Sequence, residues 1–570
     1  MKMNRWAIAL LAWGLAFRST IAYFLQPGFD EAYYYVYTLH PSLSYFDHPP
    51  LVALTTGLGI WLTGDVSQFS IRIGTLLLYT GTLLLLYLSS ARLFSEKTAT
   101  LTLAIATTIP FFQIGFGTLT LPDSPLMFFW SACLCLAAYE FFPPPEKQDD
   151  SAANYRPTSR IAGIGLLLGL ACLGKYHGFI LGLGLVFFCL VSSRHRTALW
   201  SKWTVAAIAL FLITISPILL WNWQHDWASF RFQSIRVVPR ETYSFEGLLV
   251  TFLAAVGYLF PTFGFPIWWV SLRSLARVLG NWKQIGLTGI AGEQTVQAPT
   301  GYTKQVLILS VSLPIFLGFT LMGGYRQILP SWHMPGFFGA SLLLGDWAAG
   351  IQSKYPRRIR NWIWGSGVTI MLLLSVALLH VTSGIVQQGG DRAIAGGFWA
   401  SKDDASTQLI DIQQLRQEFK DVPALSTAIA NTDFVFSNNF FLTGQIAMAI
   451  APFQRPITTF DTDLRGFAYW STASEWLDKN ALFVTSELFK YSDRKNLSEL
   501  AALGAADLAQ KLEPRLVEDK IEALEIYKEL FQSVEKIGEV NVMRGGQAVQ
   551  VFYIYNCTKL LKPYPRPYGI

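Results

Sequence analysis

Charge is what this sequence has least of. Of its 570 residues only 14% are Asp, Glu, Lys or Arg, while 52% are hydrophobic. A soluble chain carries nearly twice that share of charge, so an ordinary water-soluble globule is excluded. Cysteine is scarce as well. Cys133, Cys135, Cys172 and Cys189 fall in apolar blocks and Cys557 alone lies in the polar C-terminal part, so no internal disulfide is expected there. No GxGxxG, Walker or paired-cysteine signature occurs, and no internal repeat or low-complexity tract is visible. One local absence is more informative. From Gln26 to Ser70 there is neither Lys nor Arg, although Asp30, Glu31, Asp47 and Asp65 all lie there. Acids crowded against a bilayer face without basic relief are costly. Their presence points to chemistry rather than architecture.

The apolar residues lie in successive blocks of the length needed to cross a hydrocarbon layer of roughly 30 Å. Blocks at 6–25, 70–92, 98–117, 124–142, 161–174, 178–193, 203–221, 248–271, 305–322, 333–350 and 362–381 predict about eleven transmembrane helices. The expected architecture is a mainly α membrane protein followed by a C-terminal extracytoplasmic α/β domain. Orientation follows from where the basic residues collect. One set of connections holds eighteen Lys and Arg, from Lys2 and Arg5 through Lys147, Lys283 and Arg360. The short connections of the other set hold five, Lys175, Arg231, Arg236, Arg240 and Arg326. This bias puts the N-terminus in the cytoplasm and the acidic first loop outside. It also makes the net charge of +6 a set of membrane anchors rather than a nucleic-acid footprint. Residues 1–22 read as a retained anchor rather than a cleaved signal, because Arg18 interrupts the apolar run.

Residues 51–63 are apolar but too short for a crossing, and suit a helix lying in the outer interface. The blocks 161–174 and 178–193 are short too, joined by the hinge Gly174-Lys175-Tyr176-His177-Gly178. Segments 143–160 and 280–304 read as cytoplasmic linkers. The division is therefore 1–381, polytopic, and 382–570, soluble and extracytoplasmic. In the latter, helical stretches at 406–420, 495–511 and 515–530 alternate with β-like runs at Asp433–Phe436, Leu482–Thr485 and Ala548–Tyr555.

Several outer residues carry chemistry. Asp30 and Glu31 follow the first helix among tyrosines, where a desolvated carboxylate can act as a general base. In Asp47-His48-Pro49-Pro50 the Asp suits a helix cap; together with His225-Asp226 it also offers metal-ligand types. Asp123 either caps the fourth span or is a third converging carboxylate. Lys175 either snorkels to the interface or holds a lipid-linked phosphate. The loop from Trp221 through Arg231, Arg236 and Arg240 adds guanidiniums for phosphate and rings for stacking. Trp332-His333-Met334-Pro335 opens a later span and is expected at the same cavity.

These residues resemble a family. The N-terminal helix followed by Asp30-Glu31-Ala32-Tyr33-Tyr34, then Tyr45-Phe46-Asp47-His48-Pro49-Pro50-Leu51 and Leu121-Pro122-Asp123-Ser124-Pro125-Leu126, is similar to the C-type integral-membrane glycosyltransferases. The branch they resemble is the protein O-mannosyltransferase and lipid A aminoarabinose transferase group. The resemblance covers residues 5 to about 240 and says little about 400–570. It implies transfer of a sugar from a polyprenyl-phosphate carrier to a protein, lipid or glycan acceptor at the outer face, with inversion. It implies Asp30 as the catalytic carboxylate, with Glu31 and Asp123 beside it. Lys175, His48 and an Arg of the 231–240 loop (Arg231 or Arg236) would hold the donor phosphate, and Asp47 with His225 would stand where related enzymes bind a divalent metal ion. His48 departs from the aminoarabinose branch, which has Lys there, and neutral His is the poorer phosphate partner. The competing classes are a transporter or flippase, which places polar groups near mid-membrane in repeated halves, and a non-enzymatic scaffold.

Overall fold

A computed structural model describes residues 3–143, 155–238, 242–281 and 300–565. Lys2, Lys147, Arg240, Lys283 and most of both linkers lie outside the described residues. The chain runs through α1 (Arg5–Phe24), α2 (Phe29–Leu39), α3 (Leu51–Thr63), α4 (Ile73–Leu93), α5 (Glu96–Thr108), α6 (Asp123–Phe141), α7 (Arg160–Gly174), α8 (Gly178–Val191) and α9 (Lys202–Gln224). It continues with α10 (Ala228–Val237), α11 (Phe245–Tyr258), α12 (Pro261–Gly280), α13 (Thr300–Met322), α14 (Pro330–Lys354) and α15 (Pro356–Ser383).

Six of the described helices are long and apolar enough to cross a membrane: α1, α4 with the turn before it, α6, α9, α13 and α15. Each of the eleven apolar blocks is helical at least in part, but the count of about eleven crossings is not established by length and composition. The block at 248–271 is the clearest difference. It is two helices, α11 and α12, bent by 116°. Phe260 takes a φ of 68°, and Pro261, whose ring cannot continue a preceding helix, begins α12. Residues 51–63, expected as a helix lying in the interface, form α3.

Backbone contacts divide the chain into two units. The first holds Met1–Ile21, His48–Thr55 and Arg72–Leu374; the second holds Ala22–Asp47, Thr56–Ile71 and Ser375–Ile570. Inside the first unit, Arg18 of α1 is fully buried. It donates to Gln113 Oε1 at 3.0 Å and Thr80 Oγ1 at 2.9 Å and lies 4.9 Å over the Tyr79 ring. A cation at membrane depth is tolerated where such acceptors replace water. Arg18 therefore belongs to the packing of the bundle. The buried core joins α4, α5, α6, α13 and α14 through residues such as Leu83, Trp130, Phe337 and Phe338.

The second unit contains α16 (Ile412–Asp421), α17 (Pro423–Asn431), β1 (Phe434–Ser437), α18 (Phe440–Ile450), β2 (Ile457–Thr459), β3 (Ala481–Ser486), β4 (Tyr491–Asp493), β5 (Lys520–Glu522), β6 (Phe531–Arg544) and β7 (Gln547–Leu560). Five strands form one sheet in the order β2-β1-β3-β7-β6, parallel over β2-β1-β3 and antiparallel beyond. β2 and β6 were not anticipated, and the stretch 515–530 expected as helix is broken by β5. β6 mixes short polar and apolar residues, and its register against β7 shifts twice, between Lys536 and Gly538 and between Val542 and Met543, which hides its period. Within this unit α2 packs on α18. A Cβ at Gly444 would fall 2.7 Å from the Ala32 carbonyl carbon and the Tyr33 nitrogen, so only glycine lets the backbones meet.

Candidate active site

The predicted residues are distributed over both units. In the first unit the decisive pair is Lys175 and Asp123. Lys175 is the C-cap of α7, and Gly174 before it lets α7 close on the start of α6, where a Cβ would sit 2.6 Å from the Leu126 nitrogen. Asp123 opens α6 but makes no capping bond. Its carboxylate is turned to Lys175, whose Nζ lies 2.9 Å from both oxygens. Both side chains are buried, at 8% and 4% exposure. The cap reading of Asp123 and the snorkelling reading of Lys175 thus give way to one desolvated ion pair.

The same ammonium lies 3.5 Å from Ser331 Oγ in the first turn of α14. The neighbouring Trp332 carries Arg236, whose guanidinium lies 5.3 Å over the indole and 5.3 Å over Phe232. Arg326 donates to the Arg236 carbonyl oxygen. The start of α14 therefore joins Lys175 and Arg236 to one neighbourhood. Buried His333, next in line, has neither ring nitrogen hydrogen-bonded to the protein. Tyr176 and Ser229 share a hydrogen bond at 2.7 Å, tying the α7–α8 hinge to α10. Arg231 is exposed on α10. His225 stacks on Trp221 at 4.1 Å, with Nδ1 at 2.7 Å from the Trp221 carbonyl oxygen. His48 is half-buried.

In the second unit, α2 presents the acids. Asp30 is exposed in its first turn, where the helix N-terminus favours a carboxylate. Glu31 is buried and turns back to accept the Gly28 N–H at 3.0 Å, as a capping residue does. The following tyrosines are buried. Asp47 accepts from the hydroxyls of Tyr37 and, at 3.3 Å, Tyr33, and its other oxygen lies 3.9 Å from Arg465. Burial raises the Asp47 pKa above the ordinary carboxylate range, and the Arg465 charge opposes that rise. The Tyr33 hydroxyl also accepts the Gly466 N–H at 2.9 Å. Asp47 and His225 belong to different units. Among the described residues no three His, Cys, Asp or Glu gather as metal ligands.

Sequence reasoning missed Arg465, Ser331 and the tyrosine hydroxyls on Asp47. Ser331 directly precedes the Trp332 motif already singled out. The tyrosine run was visible as a motif, but nothing in it marked which hydroxyl meets which acid.

The comparisons fit this picture. The family profile described as dolichyl-phosphate-mannose-protein mannosyltransferase matches residues 47–221. A curated relative, the lipid A galacturonosyltransferase RgtD of Rhizobium johnstonii, is 22% identical over 344 residues, which is 60% of this chain and 64% of the relative. The match thus spans a little under two thirds of that relative's length. Among solved structures, ArnT from Cupriavidus metallidurans in the apo state matches with a TM-score of 0.54 at 13% identity, covering 96% of this chain and 97% of ArnT. The same protein bound to undecaprenyl phosphate matches with a TM-score of 0.56 at 12% identity, covering 96% and 98%. At these identities the likeness shows the fold, and the chain is built on the ArnT-like C-type glycosyltransferase fold that its motifs led us to expect.

Proposed function

We propose that this chain is a membrane glycosyltransferase that moves a sugar from a polyprenyl-phosphate carrier to an acceptor at the extracytoplasmic face, with inversion at the anomeric carbon. The observation that carries the reading is where the family match falls. It takes in Asp47, His48, Asp123 and Lys175, four of the residues picked out for their chemistry before any comparison; Asp30, Glu31, His225, Arg231 and Arg236 lie outside it. The ArnT structure bound to undecaprenyl phosphate supports a prenyl-phosphate donor.

In the proposed reaction Asp30 removes the proton from the acceptor hydroxyl or amine as that atom attacks the anomeric carbon. The bond to the carrier phosphate breaks on the opposite face of the sugar ring. The departing phosphate gains charge, which fixed cations stabilise without reorganising. Lys175 is already balanced by Asp123, so Arg236 with Arg231 supplies the net positive charge, neutral His48 offers a hydrogen bond, and the pair keeps the ammonium in place. Glu31 holds the start of α2, and thereby Asp30, by capping. The Asp47 carboxylate is already held by two phenols and faces a guanidinium, so no step is routed through a metal ion. The hydrocarbon tail of the donor accounts for a site at the membrane rim, and the basic-residue bias places that rim outside.

The test is transfer itself. Purified full-length chain is incubated with radiolabelled prenyl-phosphate sugars and an extracted envelope fraction. Label moving to the acceptor with release of polyprenyl phosphate is the expected result. Label that stays on the carrier with every donor contradicts the proposal.

A further inference from the structure

A cavity of about 860 Å³, lined wholly by the second unit, is not used by the reaction. We propose that it binds a saccharide, the non-reacting sugar portion of the acceptor. This rests on the transferase reading above and adds to it the chemical class of the acceptor.

Aromatic faces and hydroxyl partners stand together in its wall, which is what a sugar needs. Pyranose rings present C–H faces that pack on indoles, and hydroxyls that pair with carboxylates, amides and guanidiniums. Trp61, on α3, lines the cavity and is 62% exposed. Trp470 lines it too, with the His40 ring stacked on it at 4.8 Å and 5°. Asp65, at 61% side-chain exposure and 3.9 Å from Arg416, and the exposed Glu475, one oxygen of which accepts the Thr472 N–H at 3.3 Å, supply acceptors. Arg455 lines the cavity as well, its guanidinium donating to the Ala430 carbonyl oxygen. Arg416 is frame rather than ligand group, because it donates to the Val66, Met448 and Ala449 carbonyls at 2.7, 2.8 and 3.1 Å.

The charge balance decides the class. Two carboxylates face two guanidiniums, and burial pulls the His40 pKa down to about 4, so that ring is neutral at pH 7. A wall without net charge favours neither a phosphate nor a quaternary ammonium group over a neutral polyol. The volume lies within the range of small-ligand sites, about 300–1,000 Å³.

Saturation-transfer NMR and calorimetry on the full-length protein in detergent test this, with maltotriose, cellotriose, chitotriose and mannotriose as probes and glycerophosphocholine as the alternative headgroup. The expected result is binding of at least one trisaccharide, weakened about tenfold or more by Trp61→Ala and by Asp65→Asn, two exposed positions whose substitution leaves the fold intact. Failure of all four trisaccharides to bind, binding of glycerophosphocholine alone, or trisaccharide binding unchanged in both variants would overturn it. Binding is read without turnover, so Asp30→Asn retains it. A chain that binds the trisaccharide yet transfers no sugar keeps the saccharide site and loses the transferase reading together with the site's assignment to an acceptor.

Discussion

At the residue scale, the ion pair of Lys175 and Asp123 carries the most consequence. Each was legible as a residue of interest, because a lone Lys in an outer hinge and an Asp at a span entrance stand out in an apolar sequence. Their pairing was not legible, since nothing local links positions on different helices. The same holds for Asp47, whose partner Arg465 lies in a part of the chain with no motif. A buried pair stripped of one member leaves an uncompensated charge, at a cost of about 3–5 kcal/mol. Lys175→Met and Asp123→Asn are each expected to lower thermal stability by that order in detergent, whereas the double variant is expected to lose much less than the two together. A double-mutant cycle measured by thermal unfolding checks this. Additive losses would show that the two side chains do not rely on each other.

At the scale of elements, hydrophobic blocks located the helices well, because apolar length is a strong signal. They could not show the break between α11 and α12, which depends on a backbone dihedral at Phe260 followed by Pro261. The short strands β2 and β5 escaped notice because three residues hold no period. Contact between elements is set by small residues whose role shows only once the chain is folded. Gly444 is one: any side chain there must push α18 from α2. Gly444→Ala is expected to destabilise the protein by about 1–3 kcal/mol, the usual cost of overpacking. Because α2 also carries Asp30, transfer should fall with it. Unfolding and transfer assays on the same preparation check this, and an unchanged unfolding midpoint would contradict the packing described.

At the scale of the whole molecule, the fold class and the family resemblance were legible because they rest on composition and on motifs near the N-terminus. The sheet order was not, since strands far apart in sequence pair. Two acids of the second unit set its response to pH. Burial raises the Asp461 pKa to about 7, against the hydrogen bond from the Thr462 N–H. A carboxyl raised in the fold contributes stability that is full below the ordinary value and is lost as pH rises through about 7. Asp404 is opposite. Burial disfavours its charge, but hydrogen bonds from Ser406, Arg544 and His380 win and hold it at about 2. Its contribution is present above the ordinary value and is lost as pH falls towards 2. The midpoint of thermal unfolding should therefore be highest near pH 4. Asp461→Asn should remove most of the decline between about pH 4 and pH 7, and Asp404→Asn should flatten the acid side. A profile in Asp461→Asn that still falls as steeply between about pH 4 and pH 7 would contradict the assignment.

The most direct measurement compares sugar transfer by the native chain and by Asp30→Asn, with carrier binding followed alongside. The account predicts that the rate falls about 100-fold to 10,000-fold, the range for loss of a positioned general base, while the variant still inserts, folds and binds polyprenyl phosphate. Transfer at an undiminished rate in Asp30→Asn would contradict it.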